Sequence, residues 1–435
     1  LWQLCSSAGQ RRGASQLVQP WRCEAMPRRR VTKNRSSGVP DAVGESVCGS
    51  GSALQLLVLD WYSAHGRRLP WRETRDAYRI WLSEIMLQQT TVAAVIPYFQ
   101  RFMQRFPTVE SLAAADVGDV LRCWEGLGYY SRARNLHRAA GVICEEHGGT
   151  FPRSLAALQE LPGVGRYTAG AIAAFAWDLP APILEANTER LYARLLALEE
   201  PSDSTPGRKK LWEFAESIVP GTRAGDFNQA LMDLGSRICT PVNPGCGECP
   251  LSGLCQARQR GNVEQYPLRR PRPAVTELLE LAVVFERRGE VLLRQRQLRE
   301  RWAGMYDFPR FDLSPEQLRE IPCVELLAGG GAGAGAAGGQ RGRSLFQVMD
   351  EELSEELRER IAESTGIRAG AVLGAVQTTY SVTRYRISLV VVRCAVGELA
   401  VAGAGWDWHA LELLDELAMP TTGRKIVNWL RSRTA

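Results

Sequence analysis

The sequence predicts a multidomain protein, with an all-α domain over residues 51–255 and an α+β domain over 276–435, joined at 256–275 by a basic, proline-rich linker. Three observations carry this. From Leu54 to Cys255 the apolar residues recur at spacings of three and four, the period of helices packed on a core. Beyond Val275 short runs of Val, Ile and Leu read as strands. Between them, Arg258, Arg260, Arg269, Arg270 and Arg272 alternate with Pro267, Pro271 and Pro273, a composition that stiffens a linker. At 435 residues, 45% hydrophobic and 23% charged, the chain can build two or three sizeable cores, and fibrous or wholly disordered classes are excluded. No stretch approaches the roughly 18–20 unbroken apolar residues of a membrane-spanning helix, so no membrane partner is expected.

In chain order, Leu1–Ser50 holds eight Arg or Lys against three Asp or Glu, as large an excess as the net charge of +5 of the whole chain. It reads as a disordered basic extension, with an organelle transit peptide as the alternative. The remainder sums to about zero, so net charge does not argue for a polyanionic partner. Helical runs are expected over Tyr78–Phe106, Val109–Trp124, Ser131–Glu146 and Leu211–Val219, starting at signals such as Pro107-Thr108, Pro152-Arg153-Ser154 and Gly225-Asp226. In the second domain, strands are expected over Leu279–Glu286, Val291–Arg294 and Ile387–Arg393, with a helical stretch over Leu345–Ser364. Ala328–Gly339 is a Gly/Ala low-complexity insert read as a loop.

Of eleven cysteines, four crowd into Cys239, Cys246, Cys249 and Cys255, with six, two and five residues between them. Four thiolates this close suit tetrahedral zinc or a four-iron cluster, and spacing alone does not choose. Pro244, Gly245 and Gly247 let the loop wrap tightly around either. At the end of a helical domain, this spacing resembles the iron–sulfur loop of the endonuclease III superfamily of DNA glycosylases. The preceding Phe227-Asn228-Gln229-Ala230-Leu231-Met232-Asp233-Leu234-Gly235 resembles its adenine-glycosylase (MutY-type) branch. The resemblance implies a [4Fe–4S] cluster that shapes a DNA-contacting loop.

Leu161-Pro162-Gly163-Val164-Gly165-Arg166-Tyr167 is a sharp turn opening a helix, where Gly163 and Gly165 leave backbone amides free to hold an anion. It resembles the helix–hairpin–helix of the same superfamily, which grips a DNA phosphate without reading sequence. Tyr167 stands where bifunctional members carry a Schiff-base lysine. The resemblance therefore implies a monofunctional enzyme, with Tyr167 bonded to the catalytic carboxylate.

Ile80-Trp81-Leu82-Ser83-Glu84-Ile85-Met86-Leu87-Gln88-Gln89-Thr90 is an apolar helix with one carboxylate inside it; burial disfavours its ionised form, so Glu84 should titrate high. The string resembles the adenine-glycosylase signature, which implies that Glu84 protonates the purine N7 and later handles water, while Gln88 or Gln89 enters the DNA stack. A second carboxylate is needed beside the cationic sugar, by the logic of glycoside hydrolysis. The family places it in an Asp-Gly-Asn string, but here the residues are Glu185-Ala186-Asn187, followed by Arg190. Glu185 is expected to do the work of the Asp, supported by Asn187. The added methylene shifts a carboxylate by about 1 Å, enough to cost on the order of 100-fold if nothing compensates.

Leu69-Pro70-Trp71-Arg72 resembles the segment enclosing the extruded adenine, with Trp71 in its wall and Arg72 contacting DNA backbone or base edge. In Gly126-Leu127-Gly128-Tyr129-Tyr130, Tyr129 is the favoured stacking wedge. Arg294-Gln295-Arg296 with Trp302–Pro309 resembles the start of a Nudix-like domain. Glu351, Glu363 and Gly366 fit fragments of a metal-binding box, whereas Leu345, Arg360 and Ser364 break it, so no pyrophosphate hydrolysis is expected. In the family this domain detects 8-oxoguanine through a Phe-Ser-His loop; Tyr380 and Ser381 match, and Val382 replaces the His.

The function that the resemblance implies is excision of adenine opposite 8-oxoguanine or guanine in double-stranded DNA by an intracellular, DNA-associated monomer. A pyrimidine-mismatch glycosylase (T or U opposite G) and a non-catalytic lesion binder are the alternatives, the second motivated by Glu185, Ala186 and Val382.

Overall fold

The computed structural model describes residues 51–271, 273–319, 321, 325–326 and 352–434. The basic extension, the Ala328–Gly339 insert and the box positions Leu345 and Glu351 lie outside these residues.

Among the described residues, 51–271 contain helices and no strand: α1 Gly51–His65, α2 Ala77–Leu87, α3 Val92–Arg105, α4 Val109–Ala113, α5 Val117–Cys123, α6 Ser131–His147, α7 Leu155–Glu160, α8 Arg166–Trp177, α9 Ala186–Leu195, α10 Thr205–Ile218, α11 Ala224–Arg237 and α12 Gln256–Gln259. Polar caps start several of them. Asp76 accepts from the Tyr78 amide at α2, Thr108 and Ser111 form a capping box at α4, and Ser154 accepts from Ala157 at α7. The run expected as one helix over Tyr78–Phe106 is two, interrupted at Gln88–Thr91. Gln89 there has φ 58°, outside the right-handed region a helix needs. Val109–Trp124 likewise divides into α4 and α5. The start expected at Gly225-Asp226 lies slightly earlier, at Ala224, after Arg223 in a left-handed conformation.

Two apolar cores divide the helical domain. One gathers Trp81, Phe102, Trp124, Leu136 and Ile172; the other gathers Leu54, Tyr192, Phe214, Phe227 and Leu251 beneath the cysteine loop. Between them Ile80, Ala171, Ala174, Ile183 and Ala224 pack closely. Gly170 lies 2.4 Å from the Pro182 carbonyl, measured from where a Cβ would stand, so no larger residue fits there.

The stretch expected as a linker is partly strapped to this domain. Arg194 Nε donates to the Tyr266 carbonyl at 3.1 Å, the Ser202 amide donates to Leu268, and Arg269 pairs with Glu189 at 3.1 Å. The sheet domain follows, with β1 Thr276–Arg287, β2 Glu290–Gln295, β3 Tyr306–Asp307, β4 Arg310–Asp312, α13 Pro315–Arg319, β5 Glu325–Leu326, α14 Glu355–Thr365, β6 Val372–Val382, β7 Tyr385–Cys394, β8 Asp407–Ala410 and α15 Thr421–Thr434. The strands order as β3-β2-β1-β7-β6-β5, with β4 beside β1 and β8 beside β2. β1 and β7 are parallel, with Leu281 opposite Val390. Leu281, Val283 and Phe285 face Leu357 and Ile361 of α14, while Ala282 and Val284 face Ile426, Val427 and Leu430 of α15. Both faces are covered, which is why β1 reads as a continuous apolar run. β6, missed in the sequence, carries Thr378, Thr379 and Tyr380 at its hairpin end.

The sheet domain docks on α5 and α6. Arg424 forms a two-pronged ion pair with Glu125, at 2.7 and 3.0 Å, and Arg134 donates to the Ala303 carbonyl at 2.9 Å. Met305 and Ala418 complete the first core of the helical domain.

Candidate active site

α2 is largely apolar because it runs along the first core, with Ile80, Trp81, Leu82, Ile85 and Met86 all buried. Its one acid, Glu84, is 4% exposed. Burial pushes the carboxyl up to about 7, against the lowering influence of a Tyr167 hydrogen bond and the Arg72 charge; the nearby Glu185 charge raises it further. Tyr167 Oη donates to Glu84 Oε2 at 2.6 Å. Tyr167 is placed by the turn between α7 and α8, where Gly163 has φ 79° and a Cβ would stand 2.8 Å from that of Asn135. Gly165 caps α8, and the surroundings of its missing Cβ are open, leaving space for backbone to be approached from outside.

Glu185 caps α9. Its Oε1 accepts from the Thr188 amide at 2.9 Å, and its Oε2 from the Asn187 amide at 2.9 Å and the Asn187 side chain at 3.1 Å. The extra methylene folds back into the capping position that a shorter Asp would ordinarily fill. Burial raises the Glu185 carboxyl, and these donors together with Arg190 oppose the rise.

Glu84, Tyr167, Glu185 and Asn187 line one cavity of about 860 Å³. It lies where the two helical cores meet, and Trp71, Gln88, Gln89 and Gly165 also border it. Trp71 is buried edge-on against Phe99, with ring centres 5.3 Å apart. Arg72 borders the cavity but is committed to an internal ion pair instead of an exposed contact. Its Nη1 and Nη2 donate to Asp233 at 2.9 and 3.0 Å, and Asp233 is wholly buried. Arg67 Nε adds a further bond to Asp233 at 2.7 Å. These bonds hold Asp233 below its usual range although burial pushes the other way. Arg67 and Asp233 were not singled out from the sequence; their only signal there was an acid inside the buried helix α11.

Gln88 is half-buried and Gln89 exposed in the break between α2 and α3. Tyr129, 48% exposed, stands at φ 48° ahead of α6. In the sheet domain Ser381 is exposed next to the Thr383-Arg384 hairpin turn. Tyr380 is half-buried and tied down: its Oη donates to Glu280 at 2.7 Å and accepts from Arg301 at 2.9 Å.

Cys239, Cys246, Cys249 and Cys255 surround a second cavity, lined also by Arg194 and Arg258. Arg194 is 1% exposed; its Nη1 stands 3.2 Å from Cys239 Sγ, and it also donates to the Thr240 and Pro241 carbonyls. Arg258 donates to the Cys246 carbonyl at 2.9 Å. Four sulfurs around one space, with buried guanidinium charge beside them, fit an anionic thiolate-bound cluster. The loop is linked to the carboxylate site. Arg190 Nε donates to the Cys239 carbonyl at 2.6 Å, and its Nη2 to Asn187 Oδ1 at 2.9 Å. Asn187 in turn holds Glu185. Gly235 is required here, since a Cβ would lie 2.7 Å from the Asn187 carbonyl.

Residues 82–217 match the HhH-GPD superfamily of base excision DNA repair proteins, 239–255 the iron-sulfur binding domain of endonuclease III, and 281–429 the NUDIX domain. The chain is 40% identical over 257 residues to the adenine DNA glycosylase of Buchnera aphidicola subsp. Schizaphis graminum, covering 59% of this chain and 74% of that protein. It is 46% identical over 223 residues to the human adenine DNA glycosylase, covering 49% of this chain and 41% of that one. Among solved structures, a thermostable thymine-DNA glycosylase aligns at 31% identity over 50% of this chain and all of that one, with a TM-score of 0.46. The cofactor is a [4Fe–4S] cluster. The chain therefore belongs to the adenine DNA glycosylase family of base excision repair enzymes.

Proposed function

We propose that this enzyme hydrolyses the N-glycosidic bond of adenine mispaired with 8-oxoguanine or guanine in double-stranded DNA, leaving an abasic site. The observation that supports this best is the convergence of Glu84, Tyr167 and Glu185 on one cavity. Two carboxylates with different surroundings divide the chemistry. Glu84, raised to about 7, holds a proton near neutral pH and delivers it to N7 of the extruded adenine. As the base departs, positive charge grows on the sugar. Glu185, fixed by two backbone amides and Asn187, is preorganised to stabilise that charge. Glu84 then takes a proton from the attacking water, which restores the starting state. Tyr167 has no amine for a Schiff base, so the reaction stops at the abasic site.

Cys239, Cys246, Cys249 and Cys255 would hold the cluster, whose contribution is to shape the loop that carries them. The amides at Gly163 and Gly165 would take a DNA phosphate, and Gln88, Gln89 and Tyr129 would enter the stack left by the extruded base. Arg72, held in place by Asp233, would act on the chemistry through its charge beside Glu84 and not through a DNA contact of its own. Ser381 would hydrogen-bond the oxidised base opposite, backed by Tyr380. Residues 51–255 would thus be the catalytic domain and 276–435 the lesion-sensing one, working as a monomer on DNA inside the cell.

The decisive experiment is single-turnover incubation of the enzyme with a duplex carrying one A:8-oxoguanine pair, followed by hot alkali. Breakage at the adenine only after alkali is expected. Breakage without alkali would overturn the monofunctional reading. Equal breakage of an A:T control would overturn the mispair preference.

A further inference from the structure

Two turns proposed to enter the DNA stack share an unusual backbone. Gln89, just past α2, has φ 58°, and Tyr129, just before α6, has φ 48°. A left-handed conformation is unfavourable for a residue with a Cβ and persists where the surroundings impose it. One side chain reaches both turns. Arg132, in the first turn of α6, is 8% exposed. Its Nη1 donates to the Ile85 and Met86 carbonyls at 2.9 Å, and also to that of Gln88. These carbonyls belong to the end of α2, where a helix leaves acceptors without helical partners. Its Nη2 donates to the Leu127 and Gly128 carbonyls at 3.1 Å and to Thr90 Oγ1 at 3.3 Å. The guanidinium carbon also lies 5.6 Å from the centre of the Tyr129 ring.

We propose that Arg132 is a positioning residue for adenine extrusion, holding the Gln88-Gln89 turn and the Tyr129 turn at a fixed separation so that they enter the stack as one rigid pair. The inference rests on the reading of those turns as DNA-inserting. Arg132 stands outside the residues lining the carboxylate cavity, so its effect falls on getting the base out of the helix and not on proton transfer. Lysine cannot replace it, because a single ammonium point cannot span the acceptors that a planar fork reaches on two segments.

The test compares wild type, Arg132→Lys, Arg132→Met and Tyr129→Ala as full-length enzyme carrying its cluster. Single-turnover adenine release is measured on a duplex with paired adenine and on one whose adenine faces an abasic position, where extrusion costs less. Both Arg132 variants are expected to lose about 100-fold on the paired duplex, the scale of a 1 Å misplacement, with most of that loss recovered on the second substrate. The pH midpoint of the rate should match that of wild type. Should Arg132→Met fail to fold, Arg132→Lys, which keeps the charge, decides alone. Equal slowing on both substrates, a displaced pH midpoint or a wild-type rate for Arg132→Lys overturns the proposal. Tyr129→Ala separates the two levels: if it releases paired adenine as fast as wild type, the reading of the turns fails. If it is slow while the Arg132 variants are not, only the role of Arg132 fails.

Discussion

Glu84 ties activity and stability to the same proton. Its carboxyl titrates at about 7 in the folded chain against an ordinary 4.5, so the native state binds the proton more tightly than the unfolded one. The stability it contributes is complete below about 4.5 and is lost as pH rises through about 7. Glu84→Gln removes that ionisation and keeps an acceptor for Tyr167. At pH 8 the variant should be more stable than wild type by about 3 kcal/mol, read from urea midpoints, with the gap closing near pH 4 while adenine release is abolished. Glu185 differs: in the proposed mechanism its negative charge is what the developing cation needs. Glu185→Gln should slow single-turnover release by about 100- to 1000-fold, the usual cost of losing one preorganised electrostatic group. Retention of wild-type speed by this variant would remove Glu185 from the mechanism.

The helix ends do most of the positioning. Glu84 lies one turn from the end of α2, Tyr167 in the first turn of α8 and Glu185 at the cap of α9, so the ends of three helices deliver three side chains to one cavity. α9 is also where the cysteine loop meets the chemistry, through Cys239, Arg190, Asn187 and Glu185. Arg190→Met keeps the four cysteines and breaks that chain of bonds. Release should fall by about 10- to 100-fold, as for other residues that orient a functional group from behind, while the visible absorbance of the cluster persists. Loss of that absorbance in step with activity would instead place Arg190 with the cluster. The Glu84, Tyr167 and cysteine positions were legible in the sequence because each sits in a string of distinctive residue types. The break between α2 and α3 was not: Gln88–Thr91 contains neither Gly nor Pro, and the side chain that bonds to it comes from α6, 44 residues away.

Across the whole molecule, the sheet domain grips the segment that carries Tyr129. Glu125 binds Arg424, and Tyr130 Oη stands 3.5 Å from Thr421 Oγ1. Glu125→Gln weakens the one charged pair in this group, and charge-assisted bonds contribute about 1.5–3 kcal/mol each. Faster amide hydrogen exchange in α15 and a smaller rate advantage for A:8-oxoguanine over A:G are expected. Unchanged exchange in α15 would mean that the docking does not depend on the Glu125–Arg424 pair. The sequence by itself determined the two fold classes, the cysteine loop and the strings holding Glu84 and Tyr167, because helical period, strand composition and short motifs are local properties of the chain. Only the tertiary structure decided that Glu185 reaches its place by capping α9, that Arg72 is spent on Asp233 and that Arg132 joins two turns. The last two depend on which buried charges and orphaned carbonyls meet across the fold, which no local pattern records; the first is a local cap, and what gives it meaning is the cavity that it shares with Glu84.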